Sequence, residues 1–328
     1  LYFYLEQIVV EGTTVFADVV EEFSDVRHIA QRFAEWYIRF PKPYVQAFAG
    51  LCLPKLLLPF ADARDLESFY WFDTLLTYAY CPDDDPHDAE FEPEIYNLIP
   101  LVVEKFVCVR VTELMQRVWD PTSSSQTQRL ARFLRNLVLD YPCVNVQGKP
   151  TQALLTVLHS RLKSSLDEDL FMPIYSKEAL ENRNTGAAAF LDRQFWFAVK
   201  CLKNVFCWQE ILSAKALQDL AIDSILNRHL VLGLQCSLIS DANILLKAKY
   251  ICNLLPASWF EGLTGESTIP QLEPMCKALL RIGDGLIAQP SLDRNETREY
   301  GKEVCRLLTR LHALKYARLF ASENKLKQ

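Results

Sequence analysis

Residues Gly186–Gln235 read GAAAFLDRQFWFAVKCLKNVFCWQEILSAKALQDLAIDSILNRHLVLGLQ. The first half places Leu191, Phe195, Val199, Leu202 and Phe206 at helical spacing. Trp196, Phe197, Val205 and Trp208 widen that stripe until only Arg193, Lys200, Lys203 and Asn204 keep a polar edge. A helix apolar on nearly every side belongs inside a larger helical body. Ser213 fits the N-cap of a second helix, because its hydroxyl can accept from a free amide of the first turn. That helix bears Leu217, Leu220, Ala221, Ile225, Leu226, Leu230 and Leu232. Two adjacent helices so apolar predict a central hairpin on which others pack.

Working outward, the same periodicity recurs between punctuating prolines. Val15, Phe16, Val19, Val20 and Phe23 share one helical face, and Val26, Ile29, Ala30, Phe33, Trp36 and Tyr37 share another that stops at Pro41. Pro43 suits the first turn of the next helix, which Pro54 should kink. Leu66–Tyr80 is an aromatic helix, and Ile99–Trp119 carries Val103, Phe106, Val107, Leu114 and Val118 inward. Asp120–Pro121 ends it, since the residue before proline is pushed out of the α region. Ser123–Gln126 fits a capping box opening a helix with Leu130, Phe133, Leu134, Leu137, Val138 and Tyr141. A helix with Leu154, Leu155, Leu158 and Leu162 follows, then an irregular connector through Asp167–Leu180. Beyond the hairpin, Asp241–Leu255, a helix from Ile269 and a last one from about Arg294 complete the pattern. That last helix turns Val304, Leu307, Leu308, Leu311 and Leu314 inward. The expectation is an all-α chain of about a dozen helices in an irregular antiparallel array, with no significant sheet. No fixed-period repeat supports a regular solenoid. One helical domain over 1–328 is expected, with sub-lobes 14–142 and 151–324.

Composition excludes several function classes. Half of the 328 residues are hydrophobic and only 10 are glycine, which favours helix over sheet. The net charge of −6 and a pI near 5.5 argue against duplex DNA binding, which needs a basic patch. The ten cysteines form no CxxC pair and sit mostly in apolar helices, so they read as small hydrophobes in a reducing compartment. No apolar run approaches the roughly 20 residues that span a bilayer. No basic segment precedes the apolar residues at Leu1, which predicts no signal peptide and a chain cut from a longer protein. The NET sequence at Asn295 is then incidental.

Chemistry-bearing motifs are sparse. No dinucleotide, phosphate-binding, nucleophile-elbow or zincin motif occurs. His28, His159, His229 and His312 fall in helical patterns without a second ligand at i+3 or i+4, which predicts structural roles. His87 lies in the acidic stretch Pro82–Glu94 but lacks the glycine hinge of a calcium loop. Catalytic, cofactor and metal residues are therefore expected to be absent. Trp119 and Asp120 serve either as a helix stop or as a partner contact. Arg193, Gln194 and Trp196 combine residue types enriched in interface hot spots, with core packing as the competing role.

Several collinear blocks resemble the GC-rich sequence DNA-binding factor family, closest to its PAX-binding branch. They are FAEWYIRFPKPYVQAFAGLCLPKLLLP (Phe33–Pro59), YWFDTLLTY (Tyr70–Tyr78) and IPLVVEKFVCVRVTELMQRVWDPTSSSQTQRL (Ile99–Leu130). The stretch Phe190–Gln235, IPQLEPMCKALL (Ile269–Leu280) and LTRLHALKYARLFASEN (Leu308–Asn324) continue the likeness. Phe60–Ser68 departs from the family pattern, being shorter and different. The resemblance implies a nuclear protein without enzymatic activity, acting in pre-mRNA splicing on the late intron-lariat spliceosome and its disassembly. Implied partners are a G-patch protein and a DEAH helicase in an snRNA-containing complex. The PAX-binding branch implies an alternative, an adaptor between a PAX-type transcription factor and histone methylation machinery. No membrane partner is implied.

Overall fold

The computed structural model describes residues 18–20, 26–49, 52, 100, 102–140, 147–238, 243–289 and 293–324. Every regular element among them is helical, and no strand occurs among the described residues. Of the helix expected near Val15–Phe23, only residues 18–20 are described, and they form a turn with Val19 and Val20 exposed instead of a helical face. The helix expected at Leu66–Tyr80, the acidic stretch with His87, and Phe60–Ser68 lie outside the described residues. The chain divides into two compact units, residues 1–114 with 133–154, and residues 115–132 with 155–328. No described helix is long and apolar enough to cross a membrane.

In the first unit, α1 (Val26–Arg39) and α2 (Pro41–Gln46) meet at Pro41. Proline opens α2, where its missing amide costs nothing. Tyr44 is buried, edge-to-face with Trp36 at 5.2 Å and with Tyr37 at 5.3 Å. These rings fix the turn between the two helices. Helix α3 (Cys108–Arg117) is preceded by one wide turn at Val103–Val107, and Val103, Val107, Cys108 and Val111 form its buried face.

Helix α4 (Ser124–Arg135) opens on a modified capping box. The Gln126 side chain reaches past Ser123 and accepts from the Asp120 amide at 2.9 Å. The Asp120 carboxylate accepts from both the amide and the hydroxyl of Thr122, each at 2.8 Å. Helix α5 (Lys149–Asp169) runs seven residues past Leu162. The connector expected to be irregular therefore shortens, and it also holds the short helix α6 (Lys177–Glu181).

Helix α7 (Ala187–Phe206) and the run that follows it form the predicted hairpin. Ser213 caps α8 (Ala214–Gln218), accepting from the Ala216 amide at 3.3 Å. The run then widens over Asp219–Leu230 before tightening into α9 (Val231–Cys236). The widening matches the sequence. Buried positions centre on Leu217, Leu220 to Ile222, Ile225 with Leu226, and Leu230 with Val231, an average interval longer than an α-helical turn. Ser224 and Arg228, which a 3.6-residue period would turn inward, stay out of the core. At Gly233 a Cβ would lie 3.0 Å from a ring carbon of Phe195 and 3.2 Å from the Met172 sulfur. Glycine lets the second helix settle directly onto Phe195, which is 1% exposed.

The far side closes with α10 (Ile244–Leu254), α11 (Glu273–Ile287), α12 (Arg294–Arg310) and α13 (Leu314–Glu323). The single last helix expected from the leucine spacing is two helices. His312 breaks it with a left-handed backbone, φ 56°. The Ala313 amide returns to the Leu308 carbonyl, and Thr268 and Glu266 of the preceding loop bond the Leu311 carbonyl and the Lys315 amide. Arg310 forks onto the Cys252 and Asn253 carbonyls, satisfying the open C-terminus of α10. Trp259 anchors its loop against Phe206 at 5.7 Å.

Two outcomes test this packing. At Gly283 a Cβ would stand 2.5 Å from the buried Phe320 ring. Gly283→Ala should cost about 1–2 kcal/mol net, overpacking exceeding the gain in helix propensity. Phe320→Leu should then cost less in that background than alone, as read by urea denaturation. His229 is held below the ordinary histidine range by burial, then by the neighbouring Arg228, with Asp167 opposing. A depressed histidine is neutral in the fold, so the unfolded chain binds the proton first and stability falls on acidification. His229→Gln should flatten the decline in melting temperature between neutral and mildly acidic pH. A parallel decline in the variant would contradict this.

Candidate partner-binding groove

The buried face of α7 leaves a narrow outward edge. Arg193, Trp196, Lys200 and Lys203 stand at i, i+3, i+7 and i+10 and so share one side of the helix. Helix α10 presents a matching outward stripe, Leu246, Lys249, Tyr250 and Asn253. Between these edges lies an open groove of about 470 Å³, lined by Asp192, Trp196, Leu246, Lys247, Tyr250 and their neighbours. Trp196 is 41% exposed and Leu246 61% exposed. Trp196 meets Tyr250 edge to face at 5.4 Å and Phe195 at 5.6 Å, so its ring is held from two sides.

The groove floor is ionic. The Lys247 ammonium lies 2.8 Å from the Asp192 carboxylate and 5.4 Å from the centre of the Phe195 ring. Its side chain is 7% exposed while that of Asp192 is 46% exposed, so only one end of the pair is dry. Three cations of α7 lie over aromatic faces. Arg193 covers Phe190 at 5.5 Å, Lys200 covers Phe197 at 5.1 Å and Lys203 covers Tyr250 at 4.9 Å. Lys249 pairs with Glu303 at 2.8 Å, and that bond to Lys249, with help from Arg306, holds the Glu303 carboxyl below its usual range.

The structure separates the residues singled out in the sequence. Trp196 lines the groove, Arg193 stands on the same edge of α7, and Gln194 is half-buried and does not line it. Trp119 is buried. Its ring meets the fully buried Trp208 edge to face at 5.4 Å, and its indole N–H donates to the Thr127 hydroxyl at 3.2 Å. The Pro121 carbonyl accepts from the buried Asn204 amide at 2.9 Å. Asn204 thus ties residues 119–127 to α7, and Trp119 packs in the interior against the turn that follows that helix. Asp120 is exposed, with its carboxylate engaged by Thr122. Leu246, Lys247 and Tyr250 were not anticipated. Their signal was Leu246 breaking the phase of an otherwise buried helix.

No cluster of metal-ligating side chains occurs among the described residues. Every cysteine among them is free, and Cys52 is exposed rather than buried. Burial pushes the Cys201 thiol up to about 11 and those of Cys252 and Cys276 up to about 12. These thiols stay protonated at neutral pH, which makes them poor nucleophiles. The arrangement suits binding through rings, an aliphatic side chain and cations.

A family model described as GC-rich sequence DNA-binding factor-like protein matches residues 61–232. The chain belongs to this family. It is 36% identical over 98% of its length to mouse PAX3- and PAX7-binding protein 1, covering 36% of that protein. It is 31% identical over 95% of its length to mouse Intron Large complex component GCFC2, covering 41% of it. Arabidopsis Transcriptional repressor ILP1 is 24% identical over 92% of the chain, which covers 34% of that relative. The chain thus spans about a third to two fifths of the curated relatives it matches. This family is of a DNA-binding or scaffold factor type and not an enzyme family. Of the two groove walls in this family member, α7 lies inside the matched region and α10 beyond it.

The floor pair gives a testable asymmetry. Asp192→Asn removes the carboxylate 2.8 Å from a nearly dry ammonium and should destabilise by about 1–3 kcal/mol. The open side of Asp192 keeps this below the full cost of a buried pair. Lys247→Met keeps the apolar stem and should cost under about 1 kcal/mol. Equal losses in chemical denaturation would show the pair has no such role.

Proposed function

We propose that this chain is a non-enzymatic helical scaffold of a nuclear pre-mRNA splicing factor, acting in the late intron-lariat spliceosome and its disassembly. In this reading residues 1–328 work as one GCF C-terminal helical domain. A G-patch protein and a DEAH helicase within an snRNA-containing complex are its partners, and no cofactor is needed. The supporting observation is a family member whose outward surface gathers aromatic, aliphatic and cationic side chains in a groove without a catalytic constellation. The name of its relative, Intron Large complex component, favours the splicing setting. The net charge of −6 speaks against a role through duplex DNA.

A second reading follows from the 36% identity to PAX3- and PAX7-binding protein 1. There the same surface serves a transcriptional adaptor linking a PAX-type factor to histone methylation machinery. Affinity purification of the full-length protein from nuclei separates the two. The splicing reading expects excised introns with U2, U5 and U6 RNAs in the eluate. Chromatin regulators recovered without those RNAs would replace it with the adaptor reading.

A further inference from the structure

We propose that the groove between α7 and α10 docks a short acidic segment of a partner protein, seating one large apolar side chain against Trp196, Leu246 and Tyr250. This deepens the scaffold reading, and it is independent of which nuclear complex the scaffold serves. Three observations fix the chemistry of the occupant. The groove centre is apolar, with an exposed leucine beside a partly exposed tryptophan. Aromatic anchors in a pocket of this kind supply most of the binding energy of small interfaces. Its volume, about 470 Å³, suits one or two large side chains rather than a folded domain.

Charge complementarity comes from the cations on the edge of α7 that carries Trp196, which stand beside the groove and outside its lining. Arg193, Lys200 and Lys203 lie over rings and not against carboxylates. An arriving carboxylate can take up their hydrogen-bonding capacity while the rings keep them in place. Along α7 these cations span about 15 Å, roughly the length of four to five extended residues. The fitting segment therefore has an apolar residue in the middle and acidic residues to either side.

The same details disfavour a nucleic-acid occupant. Single-stranded nucleic acid prefers flat rings and a continuous cationic track. Here an aliphatic side chain occupies the centre, Asp192 places a carboxylate in the floor, and Lys247 and Lys249 are paired with Asp192 and Glu303. A second copy of this chain carries an acidic-apolar stretch of its own, DAEFEPE at Asp88–Glu94, so self-association is the competing occupant that sedimentation separates below.

A random peptide library displayed against the whole chain tests this directly. Enriched peptides should be acidic around a Trp, Phe or Leu. Their affinity, read by fluorescence anisotropy, should fall at least tenfold with Leu246→Asp and with Lys200→Glu combined with Lys203→Glu. Replacing the peptide's acidic residues by lysine should restore binding to the double charge variant. All three positions are exposed, so unchanged circular dichroism and melting are expected to show intact folding. Four results would overturn the proposal. They are no enriched peptide, enriched peptides indifferent to these substitutions, oligouridine binding that the substitutions abolish, and self-association in sedimentation that Leu246→Asp removes. None of these bears on which RNAs the full-length protein retains, so the two readings fail separately.

Discussion

Phe195 resting on the bare backbone of Gly233 is the contact on which the larger unit depends. It sets how near the 214–236 run comes to α7, and with Met172 it closes that space to any larger residue. Once α7 is seated this way, its remaining faces are assigned. Leu191, Val199, Leu202 and Val205 face the core, and Asn204 meets the Pro121 carbonyl. The polar edge has only one direction left, toward α10 and solvent. The groove is thus a consequence of how tightly the hairpin packs, because a looser contact would let Trp196 fold inward.

Where the helical period is strong, the structure was legible beforehand. The bounds of α7 and the Ser213 cap follow from apolar spacing and a side-chain oxygen at the right place. Two features escaped for a common reason. Leucines at 307, 308, 311 and 314 keep helical phase straight through a turn, so spacing alone could not show the break at His312. In the 219–230 run the inward positions recur at a longer interval than an α-helix uses, so a 3.6-residue template blurred it. Only the glutamine half of the capping box formed, since Gln126 accepts from the Asp120 amide while the Ser123 hydroxyl pairs with that of Ser125.

Of the candidate surface, the sequence showed residue types and not directions. Trp119 and Trp196 look alike as aromatic residues beside charges. Trp208, nearly ninety positions from Trp119, decides that the first is interior. Tyr250 and Leu246 decide that the second borders a groove. Such choices depend on long-range partners that a local reading cannot supply. Net charge likewise carries no direction. A chain at −6 still gathers three cations on one helix edge, since charge acts locally once solvent screens it beyond about 8–10 Å.

Stability and recognition are divided between different residues here. The side chains that hold the hairpin are buried and intolerant of change, whereas Leu246, Lys200 and Lys203 stand in solvent and can vary at little cost. Lys247 is the exception, being buried within the groove floor and paired there with the half-exposed Asp192. The family match ends at residue 232, after α7 and before the α10 wall. Both walls nevertheless reach the core, α7 through Phe195 and Val199 and α10 through Ile244, Ala248 and Ile251. Only their outward residues, among them Lys200, Lys203 and Leu246, can be altered in charge or bulk while the packing beneath stays as it is. A surface arranged in this way can change what it binds without changing the fold.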